Sequence, residues 1–276
     1  MGRMNLRCAS FPTRIVCLTE ETTETLYLLG EDWRIVGISG FTVRPARARK
    51  EKVKVSGFTS ARTDRILALE PDLILAFSDL QADIVADLVR SGLPVHVFNH
   101  RDVPGILQMV RTLGGLIGCD QRANMLSEQL LEYLKTVERT AGGFKRRPRV
   151  YFEEWNEPLI SGIGWVSQLI ELAGGEDCFA DLAKFSLAKD RIIADSSEVI
   201  RRSPDIIIGS WCGKRFNPDS VRARQGWGNI PAVKTNQLFE IKAPLILQPG
   251  PAALTEGLAE IFRLVTQWQT VADCLV

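Results

Sequence analysis

Apolar positions fall in short runs separated by stretches with helical spacing, and the alternation is regular over the first hundred residues. Residues 14–18 read as a strand, and residues 22–29 as a helix opened by threonines and closed by Gly30. Residues 35–38 form the next predicted strand and 62–68 a helix, which ends at Glu70-Pro71 because a residue before proline is pushed out of the helical region. DLILA (72–76) is a continuous apolar strand of the kind found in parallel sheets covered on both faces. A helix over 82–90, stopped by Gly92, and a strand over 95–98 complete the series. Strand and helix alternating at this spacing predict a parallel α/β sheet.

From Pro104 the period changes. Ile106, Met109, Val110, Leu113 and Leu116 keep helical spacing, and Gly118 with Cys119-Asp120 makes a break. Met125, Leu126, Leu130, Leu134 and Val137 then carry a second helical stretch over 121–141, which ends at Gly142-Gly143 and the basic residues 145–149. Alternation resumes with strands at 150–153, 205–208 and 239–241 and helices at 166–173, 197–202 and 252–267. The predicted fold is α/β: two α/β lobes with mainly parallel sheets, residues 1–103 and 144–276, bridged by a long backbone helix over 104–143. The lobes echo each other. ILALEPDLILAF (66–77) and VIRRSPDIIIGSW (199–211) both read helix, Pro-Asp, then an apolar strand ending in an aromatic. Ligands of such sheets sit beyond the C-terminal strand ends, so Phe77-Ser78 and Ser210-Trp211 point to a binding edge.

Composition narrows the function. The 276 residues are 45% apolar and 24% charged, ordinary globular values that exclude a disordered chain. Lys plus Arg number 34 and Asp plus Glu 33, a net charge of +1, so bulk electrostatics give no reason to bind nucleic acid or an anionic membrane. The longest apolar runs, such as 206–209, fall far short of the ~20 residues that span a bilayer. The first 13 residues hold no apolar core of a secretory signal, and the six cysteines are scattered without a C-x-x-C pair. A cytoplasmic location is therefore expected for the chain as given, and a periplasmic one if a leader has been removed.

The order of motifs resembles the substrate-binding proteins of cobalamin, siderophore and haem ABC importers, two lobes joined by one rigid helix. RIVCLTEETTETLYLLG (14–30) is similar to that family's opening strand, turn and helix. VGISGFTVRP (36–45), VSGFTSARTDRILALEPDLILA (55–76), LVRSGLPVHVF (88–98) and ILQMVRTLGGLIGCDQRANML (106–126) follow in the expected order. In the second lobe ISGIGWVSQLIELAGGEDCFAD (160–181) and RRSPDIIIGS (201–210) match. The likeness covers residues 14–268 and is nearest to cobalamin-binding members. It implies a non-catalytic, monomeric binder that holds a cobalamin-like corrinoid between its lobes, with haem or a ferric siderophore as the alternative ligand. A cytoplasmic enzyme or cofactor-handling protein on the same fold is the rival reading.

The matching contact positions are Glu21, Thr22 and Thr23 after the first strand, Phe41 to Pro45 with Arg44, then Phe58, Phe77 and Ser78. In the second lobe they are Trp155 to Leu159, Trp211 and Trp227. Aromatic faces suit a large flat macrocycle. Core packing is the other reading of the phenylalanines, whereas the three tryptophans stand beside polar, loop-like residues and are expected outside the core. Glu154, within YFEEWNEP, is a candidate for polar contact to ligand amides, against a solvated loop charge. Glu153 and Glu154 must point to opposite faces of a regular strand. Arg44, first of a basic run through Lys54, and Arg215 could meet phosphate or propionate. Gln248 lies in LQPGPAAL, a strand-end loop opening the last helix, whose free amides could face an anion. The resemblance also implies one acidic residue per lobe to dock the importer's membrane subunit. Asp83 fits on the first, and Asp219 is the carboxylate nearest the corresponding stretch 226–229 on the second.

Other chemistry is poorly supported. With only His96 and His100 and no paired cysteines, no metal site and no catalytic cofactor are expected. Cys212 beside Lys214 and Arg215 could be a thiolate, yet no histidine lies near it in sequence to make it a nucleophile.

Overall fold

The computed structural model describes residues 11–273. Two compact units divide the chain: residues up to Asn99 together with Gln108–Ser127, and His100–Leu107 together with residues from Glu128 onward. Each is an α/β sandwich around a mainly parallel sheet.

In the first unit, β1 (Ile15–Cys17), α1 (Glu20–Leu28), β2 (Ile35–Ser39), β3 (Val53–Ser56), α2 (Thr63–Ala68), β4 (Leu73–Phe77), α3 (Ala82–Arg90) and β5 (Val95–Phe98) follow in order. The strands lie β3-β2-β1-β4-β5, all parallel. Ile15, Val16, Cys17, Ile74, Leu75 and Ala76 are fully buried, as continuous apolar strands with helices on both faces must be. β2 and β4 flank β1 on opposite sides, so the chain switches direction across the sheet at the β1–β4 boundary, where such folds open a crevice at the strands' C-terminal ends.

α4 (Val103–Ile117) and α5 (Asp120–Ala141) follow, broken at Gly118-Cys119. The predicted connector is thus two helices, and the unit boundary at Ser127 falls inside α5. Their buried positions, Ile106, Met109, Val110 and Leu113, then Leu130, Leu134 and Val137, keep the spacing read from the sequence.

The second unit contains β6 (Arg149–Asn156), β7 (Leu159–Ser161), α6 (Gly164–Leu172), β8 (Glu176–Asp177), α7 (Ser197–Arg202), β9 (Ile206–Gly209), β10 (Leu238–Glu240) and α8 (Leu258–Asp273). Its sheet runs β10-β9-β6-β7, with β8 paired to the start of β6, and only β7 is antiparallel. β3, β7 and β8 had no counterpart among the predicted strands. They are short, half-polar or exposed segments whose pairing is set by neighbours rather than by periodicity. Helix α1 starts two residues earlier than predicted, because Glu20 and Glu21 sit well at the positive end of a helix.

Among the described residues no helix is long and apolar enough to cross a membrane, and no three His, Cys, Asp or Glu side chains are grouped to hold a metal. Cys17, Cys119, Cys178 and Cys212 are free thiols, while Cys8 and Cys274 lie outside the described residues.

One expectation is reversed here. Trp211 and Trp227 were expected outside the core, yet they are 5% and 0% exposed and pack with Tyr151, Phe179, Phe216 and Ile230. Polar groups that the local sequence did not mark cover these rings: the Arg224 guanidinium lies 4.4 Å over Trp227, and the Trp211 indole donates to Glu153. Trp227→Ala should therefore cost about 3–5 kcal/mol of stability. At about 2–4 °C per kcal/mol for a chain of this size, thermal melting followed by circular dichroism should show a drop of roughly 10 °C. A melting temperature within a degree or two of wild type would place the ring outside the core.

Candidate functional site

The loops leaving the C-terminal ends of the strands carry most of the predicted site residues, and buried polar side chains fix them. In the first unit Gln81 has no exposed surface. Its Oε1 accepts the Phe77 amide at 3.0 Å, and its Nε2 donates to the carbonyls of Phe58 at 2.9 Å and Leu18 at 3.4 Å. One side chain so ties the ends of β1 and β4 to the loop after β3. Ser78, at φ +66°, turns the chain sharply out of β4, and its hydroxyl accepts the Leu80 amide at 3.2 Å.

Glu20 does the same for the loop after β2. Its Oε1 accepts the amides of Val43 at 2.9 Å and Arg44 at 2.7 Å, and Arg44 Nε donates to Glu24 at 2.9 Å. The loop held this way presents Phe41, which is 63% exposed. Glu21 is buried beneath, accepting from the Thr19 hydroxyl through one oxygen while the other has no partner. Burial pushes both carboxyls up to about 7, against the hydrogen bonds that pull them down, with repulsion from Glu24 adding to the rise in both and from Glu20 in Glu21. Thr22 and Thr23 are buried, and their hydroxyls donate to the Thr19 carbonyl. Glu21, Thr22 and Thr23 therefore form the floor of the site rather than its surface. Phe77 is 7% exposed, and Phe58 half-buried.

The basic run is not simply solvated. Arg44 pairs with Glu24, Arg47 pairs with Asp32 and lies over the Tyr27 ring, and Lys52 donates to the Asp32 carbonyl.

In the second unit the adjacent carboxylates of β6 take separate sets of partners, at a point where the pairing with β7 shifts register between Glu153 and Trp155. Glu153, with no exposure, receives two hydrogen bonds from Arg224 at 2.6 and 2.8 Å, one from Trp211 Nε1 at 2.9 Å and one from the Tyr151 hydroxyl at 3.1 Å. Glu154 receives two from buried Arg191 at 2.6 and 3.2 Å. Neither is the solvated loop charge that the sequence suggested. Gly209 closes β9 because a Cβ there would stand 1.9 Å from the Phe216 ring, which packs edge-on against Trp211. Trp155 is half-buried with Nε1 donating to the Glu157 carbonyl at 2.8 Å, Arg215 is exposed, and Gln248 is half-buried. The Cys212 thiol is shifted upward by burial and by nearby Glu154, the opposite of an activated thiolate. His100 Nε2 lies 2.7 Å from the Pro249 carbonyl, and the ring of His96 packs edge-on against Phe98.

The structure thus brings Glu21, Thr22, Thr23, Phe41, Arg44, Phe58, Phe77 and Ser78 to one sheet end of the first unit. In the second, Glu154, Trp155, Trp211 and Arg215 gather at the ends of β6 and β9, with Trp227 in the core beneath. Gln81, Glu20, Arg191, Arg224 and Lys214 were missed. Each reaches at least one partner remote in sequence, as Gln81 reaches Leu18 and Arg191 reaches Glu154, and an isolated Gln or Arg carries no pattern to mark it.

A family model described as periplasmic binding protein matches residues 15–245. An uncharacterized ABC transporter substrate-binding lipoprotein of Bacillus subtilis is 24% identical over 260 residues, covering 91% of this chain and 79% of that one. A cobalamin-binding protein of Halobacterium salinarum is 25% identical over 254 residues, covering 87% and 68%. The crystal structure of a periplasmic vitamin B12 binding protein of Vibrio cholerae superposes with a TM-score of 0.76 at 18% identity, covering 95% and 99%.

Buried Glu20 and Glu21 set a pH dependence of stability. Their folded-state values lie above those of an unfolded chain, so their contribution is fully present below about pH 4.5 and is lost as pH rises through about 7. Denaturant unfolding from pH 5 to pH 8 should show declining stability, with a slope approaching about 1.4 kcal/mol per pH unit for each group at its steepest. Glu21→Gln should flatten that slope. A wild-type stability that is level or rises over this interval would show that both carboxyls are ionised throughout.

Proposed function

Because the chain belongs to the periplasmic binding protein family, we propose that it binds a cobalamin-like corrinoid, without chemically altering it, through the loops at the C-terminal ends of its parallel strands. Phe41 carries this reading. An aromatic ring 63% exposed is held out of the core by a loop whose backbone is fixed on a buried carboxylate. A rigid apolar face offered at a sheet end suits a large, flat, partly apolar ligand, since little entropy is lost when it is covered. The corrin is favoured by the relatives whose names specify cobalamin or vitamin B12.

Members of this family are substrate-binding proteins that take small-molecule ligands and work with a membrane transporter; they are periplasmic proteins or lipoproteins. In the first unit of this chain the proposed contact residues are Phe41, Arg44, Phe58 and the Ser78 turn; in the second unit, taken by itself, they are Glu154, Trp155, Arg215 and Gln248. Glu21, Thr22, Thr23 and Phe77 support them from below. Asp83 and Asp219, both exposed, are the proposed docking carboxylates, with Asp219 held by Arg222 at 2.5 Å.

Titration with cyanocobalamin, followed in the visible spectrum and by calorimetry, should give saturable 1:1 binding. Phe41→Ala should weaken it by about 1–3 kcal/mol while the melting temperature stays unchanged. Asp83→Ala should leave affinity as in wild type. Absence of binding to cyanocobalamin and cobinamide, with a Soret shift on adding haem, would replace the corrin by a porphyrin.

A further inference from the structure

We propose that Lys214 is the group with which the second unit takes an anionic group of the ligand, a phosphodiester or carboxylate, and that Trp155 and Trp211 are its positioning residues. This rests on the reading that the sheet-end loops bind a ligand, and adds which of its groups is recognised and where.

The loop leaving β9 is built to hold one side chain still. Trp211 is clamped by its hydrogen bond to Glu153 and by Phe216 packed edge-on at 5.0 Å between ring centroids. The chain then reverses at Gly213, whose φ of +79° is open to glycine without strain. The reversal lays the Lys214 ammonium 5.0 Å from the centre of the Trp211 ring and 4.5 Å from that of Trp155. Trp155 is itself fixed by Nε1 donating to the Glu157 carbonyl. A surface lysine is ordinarily a mobile, hydrated charge, whereas two indole faces around one ammonium attract it and restrict it.

The charge stays available. Both carboxylates of the neighbouring strand are committed, Glu153 to Arg224 and Glu154 to Arg191, each by two hydrogen bonds. Among the described residues no carboxylate lies within ion-pair distance of Lys214. An ammonium resting on ring faces uses none of its N–H groups on oxygen acceptors of the protein, so its donors can turn to an incoming oxyanion. Exposed Arg215 follows directly and adds to the positive potential at the same strand end. A lysine neutralised by Glu153 or Glu154 could not do this. The two arginines, Arg191 and Arg224, are what leave it free.

The test compares wild type with Lys214→Met, Lys214→Arg, Trp155→Leu and Trp155→Phe. Affinity for cyanocobalamin, which carries a phosphodiester, and for dicyanocobinamide, which lacks one, is measured by calorimetry at low and high salt. Tryptophan fluorescence is followed in parallel with inorganic phosphate alone. Lys214→Met should lose tenfold or more in affinity for cyanocobalamin and lose its salt dependence, with cobinamide little changed if the phosphodiester is the partner. An equal loss for both corrinoids, which share only neutral amide side chains, would overturn recognition of an anionic group. Lys214→Arg and Trp155→Phe should restore most of the affinity, while Trp155→Leu should not. Equal cyanocobalamin affinity in wild type and Lys214→Met overturns the role of Lys214 and leaves the corrinoid reading standing. If wild type binds neither corrinoid, that reading fails, and the phosphate titration decides for Lys214. A saturable fluorescence change in wild type that is absent in Lys214→Met supports it, and the same response, or none, in both overturns it.

Discussion

A carboxylate removed from water must be given a cation, be given several hydrogen-bond donors, or take up a proton, and both sheet ends of this protein are organised around that requirement. Glu153 sits fully buried within β6, opposite the last residue of β9. Four hydrogen bonds reach it, two from Arg224 and one each from Trp211 and Tyr151. Removing one partner of a buried pair typically costs about 3–5 kcal/mol, because the other charge is stranded. Every element that supplies a partner to Glu153 is thereby fixed relative to β6, including the start of the loop that carries Lys214.

The first unit meets the same requirement by another route. Glu20 and Glu21 receive backbone amides and a hydroxyl, and their values near 7 keep a share of each protonated at neutral pH. Arg44 pairs with Glu24, and its charge only partly offsets the effect of burial on Glu20. Strand-end loops on the two sheets are therefore held by different chemistry, one sensitive to pH in the physiological range and the other built on arginine, which does not titrate there. In the first unit the backbone amide at the end of β4 finds a buried side-chain acceptor instead of water, as Phe77 does with Gln81.

The fold was legible where burial is uniform. DLILA and its counterpart at 206–208 are continuous apolar strands because helices cover both faces, and the two connector helices kept their spacing because one stripe of each is buried. β3, with two exposed residues, and three-residue β7 carry too little apolar pattern to be read. At the site, the location of the strand ends was legible, since it follows from where strands stop. Which aromatics face water was not. Trp211 and Trp227 stand among Gly, Lys and Arg and looked exposed, yet their polar neighbours fold over them, while Phe41 in an apolar-looking stretch projects outward. Sequence proximity gives the company a residue keeps along the chain, and these rings are buried by residues such as Glu153 and Tyr151 that lie far from them along it.

The central claim is that the strand-end loops are preformed by buried polar side chains rather than ordered by a ligand. Amide hydrogen exchange in the ligand-free protein, resolved at Val43, Arg44 and Phe77, tests it most directly. These amides donate to Glu20 and Gln81, so they should be protected to a degree approaching the neighbouring strands, and Glu20→Ala should release Val43 and Arg44 while leaving Phe77 protected. Exchange at all three as fast as in an unstructured peptide would contradict preformation.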